Sequence, residues 1–475
     1  MDTTNQEAKN EESIVSCRNS QGVDIRATPV RMTRHLVVFE VYNPYSILQL
    51  SEVLQEFKIY INQRLVYSGR AVVSNLVNTG IFLVCEASLD DAWLDVDLFS
   101  PVDQRDRLLS EFGDFLAECK KADQVLPNFK LVVSDLQGFL VDFRRWMEQL
   151  EFAVRSHPGG DRVKVEEEVI SQLAAPALPT VKEFFERFET AADTVPPDLQ
   201  PLHRSYVKRQ LHPLVLCAPF SWRTFYKPLG YAGDYEMVNM MLRQPYEGSS
   251  MFAKVLNTFF LNTAPVLAHR NRIEYLVKNL KAEIARVHQS GRRARIFNLG
   301  CGPAQEIQRL LEEDEIVDNA DFLLLDFNEE TLQSVGDNLN KLSQEHGRSP
   351  GLETLLKSVH QILREAARPG SGFELASYDV VYCAGLFDYL SDKICKRLMG
   401  LFHRLLAPGG LLIATNVHAD NPSRHWMEFV VDWHLVYRDD DGFLALSPEG
   451  AAPETVSVRT DETGVNVFLE VRKPS

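Results

Sequence analysis

Residues 295–298 read as a short buried strand that leads into a turn at Gly300, Cys301 and Gly302, and from about Ala304 the apolar positions of QEIQRLL recur at helical spacing. A strand that turns into a helix through glycines restricts the fold sharply. Glycine accepts left-handed backbone and has no Cβ, so a ligand can approach the turn and meet the N–H groups at the helix start. Beyond this turn, short β-branched runs alternate with helical periods, which implies βαβ units around a parallel sheet. A glycine turn alone also serves as an ordinary tight connection, so ligand binding requires a second signal.

That signal is Asp326, which ends the next strand-like run 26 residues after Gly300 and is followed by Phe327. An acid at that strand end can accept hydrogen bonds from both hydroxyls of a ribose. A fourth strand ends at Cys383, Ala384 and Gly385, whose backbone should lie over the crevice where the strand order reverses. The run 455–471 reads as a hairpin of two alternating strands around Asp461 and Gly464. Gln305 stands where a dinucleotide fingerprint carries its helix-packing glycine, which disfavours NAD.

Four motifs in order, NLGCGPA, LLLDFNEETL, YDVVYCAGLFDYLSD and LLAPGGLLIATN, resemble those of class I S-adenosylmethionine-dependent methyltransferases. The resemblance implies a Rossmann-like α/β domain over 291–475, with a seven-stranded sheet whose last strand is antiparallel. It implies S-adenosyl-L-methionine as cofactor, held by Asn298, Gly300, Cys301, Gly302, Ala304, Asp326, Phe327, Ser358, Val359, Cys383, Ala384 and Gly385. Two residues depart from the family pattern. Ala304 replaces its last glycine, and Asn298 stands where an acid often faces the methionine end.

At 475 residues the chain exceeds one ordinary core and is expected to be multi-domain. A polar stretch at 1–15 reads as a disordered tail. Residues 16–100 carry β-rich runs at 35–42, 57–61, 70–77 and 81–86, the pattern of a small β-barrel or sandwich. From 101 to 290 the period is helical: Leu108, Phe112, Phe115 and Cys119 share one face, as do Leu136, Phe139, Leu140, Phe143, Met147 and Leu150. Pro176, Pro179, Pro196, Pro197 and Pro201 are expected to break this helical region, with Thr180 capping a new helix.

Within the barrel, Arg31 and Arg34 near the first strands and the stretch from Asn75 to Gly80 resemble a degenerate PilZ domain. In that family paired arginines and a polar turn grip cyclic di-GMP. Here the arginines are closer together and Val77 replaces a serine, so the resemblance favours a barrel that binds no nucleotide, with cyclic di-GMP as the minority reading.

The formal net charge of −16 argues against non-specific binding to nucleic acid or anionic membranes. The seven cysteines are scattered without a CxxC pair, so neither a disulfide framework nor a metal site is expected. With no apolar leader or membrane-spanning run, the expected location is cytoplasmic.

Methyl transfer needs alignment and desolvation more than a strong base, so the acceptor pocket need not carry a catalytic motif. Two polar-aromatic stretches, FYKPLGYAGDYEMVNMM and NVHADNPSRHWMEFVVDWHLVYR, resemble bacterial proteins of 3-hydroxypalmitic acid methyl ester biosynthesis, a quorum-sensing signal. The resemblance implies O-methylation of the carboxyl group of a 3-hydroxy fatty acid that arrives free or as an acyl thioester, with Tyr231, Asp234, Tyr389, His418 and His434 around the acceptor and Trp426 beside them. For each histidine a structural hydrogen bond competes with chemistry, and for Trp426 core packing does. Two other readings stay open: a nucleotide-sensing regulatory protein built on a methyltransferase scaffold, and a methyltransferase for a different small-molecule or protein acceptor.

Overall fold

The computed structural model describes residues 13–33, 35–41, 48–61, 64–79, 82–90, 124–156, 162–367 and 374–475. They fall into two compact units. One comprises Met1–Lys130, Val195–Arg209 and Lys227–Ala232, and the other Leu131–Thr194, Gln210–Tyr226 and Gly233–Ser475. Of the helical stretch, 195–209 and 227–232 belong to the first unit and 131–194, 210–226 and 233–290 to the second.

In the first unit, β1 (Ser13–Arg18), β2 (Asp24–Thr33), β3 (Leu36–Val41), β4 (Val53–Ile61), β5 (Arg64–Asn78) and β6 (Leu83–Leu89) close a barrel in the order β1-β2-β3-β6-β5-β4. Alternate residues point inward, so Phe39, Phe57, Ile59, Tyr67, Val73 and Cys85 fill the interior. Ser13, Ile14 and Val15, expected in the tail, instead open β1 because Val15 is fully buried against that core. Arg31 is exposed on β2, while Arg34 and Gly80 lie outside the described residues. Arg31 pairs with Val38, Val38 with Glu86, and Glu86 with Asn75. The two PilZ-like segments thus sit three strands apart, about 14 Å at ordinary strand spacing.

Glu52 is fully buried at the start of β4 and accepts from Ser20 N at 2.7 Å, Ser20 Oγ at 2.5 Å and Gln49 N at 2.8 Å. Burial pushes its carboxyl up to about 7, against the pull of these donors. The folded barrel therefore binds more protons than the unfolded chain between the ordinary carboxylate range and pH 7. Its stabilisation is complete below that range and is lost as pH rises through 7, by up to about 3 kcal/mol. Hydrogen exchange of the β1 and β4 amides at pH 5.5 and 8 should show this loss, and Glu52→Gln should flatten it. An unchanged pH slope in the variant would assign the effect elsewhere.

The helices are α1 (Pro127–Ser156), α2 (Arg162–Asp193), α3 (Gln200–Val215), α4 (Pro219–Tyr226), α5 (Tyr235–Leu242), α6 (Met251–Phe260) and α7 (Ala264–His288). The face carrying Leu108 and Phe112 lies outside the described residues, whereas Leu136, Leu140 and Met147 are buried on α1. Pro176, Pro179 and Thr180 do not break the helix as expected; α2 runs through all three. Pro176 and Pro179 are exposed, and each removes only one backbone donor, while Ile170, Val181, Phe188 and Ala192 bury the opposite stripe. Pro196 and Pro197 do separate α2 from α3, and Pro201 sits in the first turn of α3, where proline is tolerated.

The second unit holds β7 (Ala294–Leu299), α8 (Gln305–Glu313), β8 (Ala320–Asp326), α9 (Glu329–His346), β9 (Gly351–Leu356), α10 (Val359–Ala366), β10 (Tyr378–Cys383), α11 (Asp392–Leu405), β11 (Leu406–Val417), α12 (Arg424–Val430), α13 (Asp440–Leu444), β12 (Val456–Thr460) and β13 (Asn466–Arg472). The sheet order is β12-β13-β11-β10-β7-β8-β9. β7 to β11 are parallel, β13 runs antiparallel to β11, and β12 antiparallel to β13. Only the last strand is therefore reversed. Apolar layers cover both faces of this mixed sheet, and the order reverses between β7 and β10, which opens a crevice at their C-terminal ends. Among the described residues no single helix is long and apolar enough to cross a membrane, though α6 and α7, bent by 59° at their junction, pass that test as a pair.

Candidate functional site

The glycine turn closes the crevice on the β7 side. Gly300 N and Cys301 N donate to Leu325 O of β8 at 2.8 and 3.1 Å, so the turn is fixed to the neighbouring strand. Gly300 (φ +72°) and Gly302 (φ +50°) take left-handed conformations. A Cβ at Gly300 would touch Leu386 at 3.4 Å, whereas one at Gly302 would meet open space. Ala304 is also left-handed, at φ 49°, and precedes α8 as its N-cap. This is the conformation for which a glycine is the easier residue.

Asp326 is 6% exposed at the end of β8. Its Oδ2 accepts from Gly302 N at 3.2 Å and its Oδ1 from Asn328 N at 3.0 Å. Burial raises its carboxyl pKa, and the backbone donors of Asn328, Gly302 and Phe327 oppose that shift. A carboxylate has about four acceptor positions, so three backbone donors leave it room for a hydroxyl donor. Phe327 follows in the same turn. Ser358 and Val359 open α10 just beyond β9; Ser358 forms a capping box with Gln361, and Val359 packs partly into the sheet core. Lys357 N donates to Asp326 O at 2.9 Å, which ties that segment to the end of β8.

On the opposite side, Cys383 is buried, Ala384 is half-buried, and Gly385 (φ +90°) donates to Thr415 Oγ1 at 2.9 Å. Below the turn, Asn298 is 2% exposed and its Oδ1 has no hydrogen-bond partner. Its Nδ2 donates to Glu306 Oε1 at 3.4 Å, and the Tyr382 hydroxyl donates to the same oxygen at 2.6 Å. Burial pushes the Glu306 carboxyl up, and the Tyr382 hydroxyl pulls it back. Arg272 of α7 reaches the end of β10, where a Cβ at Gly385 would lie 2.9 Å from its Nη1. An orphaned buried acceptor, an open glycine face and a carboxylate with free lone pairs suit a polar, ribose-bearing ligand.

Residues expected around the acceptor divide. Tyr231 belongs to the barrel's unit, in a turn whose Gly230 O accepts from Val53 N at 2.8 Å. The others belong to the sheet's unit. Asp234 caps α5 by accepting from Met237 N and pairs with Arg223 Nε, each at 2.9 Å, so both functions of its carboxylate are structural. Tyr389 is half-buried; its hydroxyl accepts from Trp433 Nε1 at 3.0 Å, and burial raises its pKa. Beside it, Asp388 accepts from Val417 N at 2.7 Å and is pushed up to about 6 by burial. His434 is 4% exposed. His418 accepts from Asp420 N at 3.1 Å and lies 3.7 Å from both Asp420 and Asp440 carboxylates. Trp426 packs with Phe185, Phe188 and Phe260 at ring distances of 4.3, 5.5 and 5.9 Å, a core role. No group of side chains among the described residues could hold a metal ion.

Arg272, Glu306, Tyr382 and Asp388 were not singled out from sequence. Glu306 follows the glycine turn directly and was detectable as an acid in the first turn of a buried helix. Arg272 carries no local signal, since it lies in α7 ahead of the sheet.

No family model matches the chain, and no curated protein matches it. Among solved structures it is similar to a possible exported protein from Bordetella parapertussis, at 15% identity over 64% of this chain and 97% of that one, with a TM-score of 0.40. It is similar to magnesium protoporphyrin IX methyltransferase from Synechocystis PCC 6803 with bound S-adenosylmethionine, at 11% identity over 59% and 99% of the two chains, TM-score 0.31. A third is the N-methyltransferase NodS from Bradyrhizobium japonicum WM9 in complex with S-adenosylhomocysteine, at 13% identity over 51% and 98%, TM-score 0.30.

Proposed function

We propose that this chain is a cytoplasmic S-adenosylmethionine-dependent O-methyltransferase whose acceptor is the carboxylate of a 3-hydroxy fatty acid of the 3-hydroxypalmitate type. The observation that carries the methyltransferase reading is Asp326, which ends β8 beside the switch-point strand β7 of a seven-stranded sheet with a reversed last strand and is braced by the glycine turn. When bound, the cofactor supplies an electrophilic methyl group on a sulfonium.

The chain's own work is placement. Asp326 holds the ribose hydroxyls, Gly300 and Gly302 admit the ligand to the backbone, and Gly385 and Leu386 border the point where cofactor and acceptor meet. A fatty-acid carboxylate is ionised near neutrality, so no protein base has to remove a proton. The acceptor-side groups then orient the carboxylate and exclude water, with the Tyr389 hydroxyl, held by Trp433 Nε1, as a donor in the segment after β10. The acceptor itself is proposed from the likeness of residues 225–241 and 416–438 to proteins of 3-hydroxypalmitic acid methyl ester biosynthesis.

Incubation of the full chain with methyl-labelled S-adenosylmethionine and, separately, 3-hydroxypalmitic acid, palmitic acid, 3-hydroxypalmitoyl thioester and a cell lipid extract tests this reading. The expected product is labelled 3-hydroxypalmitic acid methyl ester, identified by mass. Label appearing only on another metabolite or on a protein would overturn the acceptor and keep the reaction class.

A further inference from the structure

We propose that Arg272 and Glu306 together bind the zwitterionic amino-acid end of the cofactor, the guanidinium taking its carboxylate and Glu306 its ammonium group. The inference rests on the methyltransferase reading and assigns two residues outside the family's motif positions.

An α-amino acid presents opposite charges on one carbon, so its recognition in a dry crevice needs an anion and a cation held close together but not paired with each other. Arg272 and Glu306 meet that requirement. Each feels the other's charge, yet no ion pair forms between them. The half-buried guanidinium of Arg272 contacts the His269 ring through Nη2, at 2.7 Å from Nδ1 and 3.5 Å from Nε2, and has no carboxylate within ion-pair distance among the described residues. His269 is held neutral by its own burial and by Arg272 and Arg270, which suits it to accept that bond. A cation set against Gly385, which feels the charges of Asp388 and Glu306 but forms an ion pair with neither, is arranged for an anionic ligand.

Glu306 is arranged for a cation. Tyr382 and Asn298 both bond to its Oε1, which leaves Oε2 open. Asn298 stands where the acid of the family would be and carries no charge. Its Oδ1, buried and without a partner, is a second acceptor at the same place. The acid has thus moved from the strand to the first turn of α8, with Asn298 and Tyr382 aiming it. Gly385 leaves room for the guanidinium, because any Cβ there would meet Nη1 at 2.9 Å and Nη2 at 3.3 Å.

Calorimetry with two ligands isolates the pair. S-adenosylhomocysteine carries the amino-acid end and 5′-methylthioadenosine lacks it. Wild type should bind the first at least roughly 100-fold more tightly, since two charge-assisted contacts are at stake. Arg272→Met and Glu306→Gln should each cut that ratio roughly tenfold or more, leave 5′-methylthioadenosine affinity within about twofold, and so separate lost recognition from lost folding. Arg272→Lys should recover part of the ratio. An unchanged ratio in both variants, with S-adenosylhomocysteine still bound, would overturn the inference alone, and loss in only one would overturn the pairing. Failure of wild type to bind either ligand would overturn the methyltransferase reading and this inference with it.

Discussion

Asp326→Ala should weaken S-adenosylhomocysteine binding by roughly 10²- to 10⁴-fold in calorimetry, because two charge-assisted hydrogen bonds to ribose, worth about 1.5–3 kcal/mol each, are lost together. The substitution also releases Gly302 N and Asn328 N, which the carboxylate now holds at 3.2 and 3.0 Å. Gly302 N sits at the glycine turn and Asn328 N at the start of α9, so the loss reaches the backbone around the ligand as well as the sugar. Asp326→Asn separates the two effects. It keeps one acceptor for the turn but presents an N–H₂ in place of the other oxygen, and should retain the fold while losing most of the affinity. Binding of wild-type strength in either variant would remove Asp326 from the cofactor site.

The second large effect is expected at Arg438, in the stretch after β11. Its buried guanidinium donates to Phe387 O at 3.0 Å, Leu390 O at 2.7 Å, Asp392 Oδ1 and Asn416 Oδ1, and thereby ties the segment after β10 to β11 and α11. Arg438→Met leaves two carbonyls and an amide oxygen buried without donors. Breaking one side of a buried charged network costs about 3–5 kcal/mol, which for a unit of this size lowers the thermal midpoint by roughly 10 °C. Hydrogen exchange should locate the loosening at residues 387–390, next to Asp388 and Tyr389. A midpoint within about 2 °C of wild type would show that the segment is held by packing alone.

Much of the cofactor crevice was legible because its requirements are local. A turn that must take positive φ and admit a ligand is written in glycine, and a strand that must end in an acid is written in one residue, so Gly300, Gly302 and Asp326 announce themselves at fixed spacing. The acceptor side was less legible. Asp234 reads as a polar residue in an aromatic stretch, and the fold adds what local sequence does not show, that its Oδ1 caps α5 and pairs with Arg223. Trp426 reads as a binding aromatic, yet it fills a cluster with residues of α2 and α6. Tyr231 and Asp234, three residues apart, belong to different units.

The helical region shows the opposite failure. Proline rules predict breaks at Pro176 and Pro179, but a helix interior tolerates a lost donor where the ring faces solvent and the far stripe is buried, and α2 runs on.

Sequence by itself determined the β-strand and helix periods, the glycine turn, the acid that follows it and the final hairpin, since each depends on residues within a few positions of one another. Only tertiary structure decided that the last strand inserts between β11 and β12, that Glu306 lies against Asn298, and that Arg272 reaches Gly385 from more than a hundred residues away. Charges that must stand close without pairing are positioned by the packing of helices on the sheet, and nothing in local spacing encodes that distance.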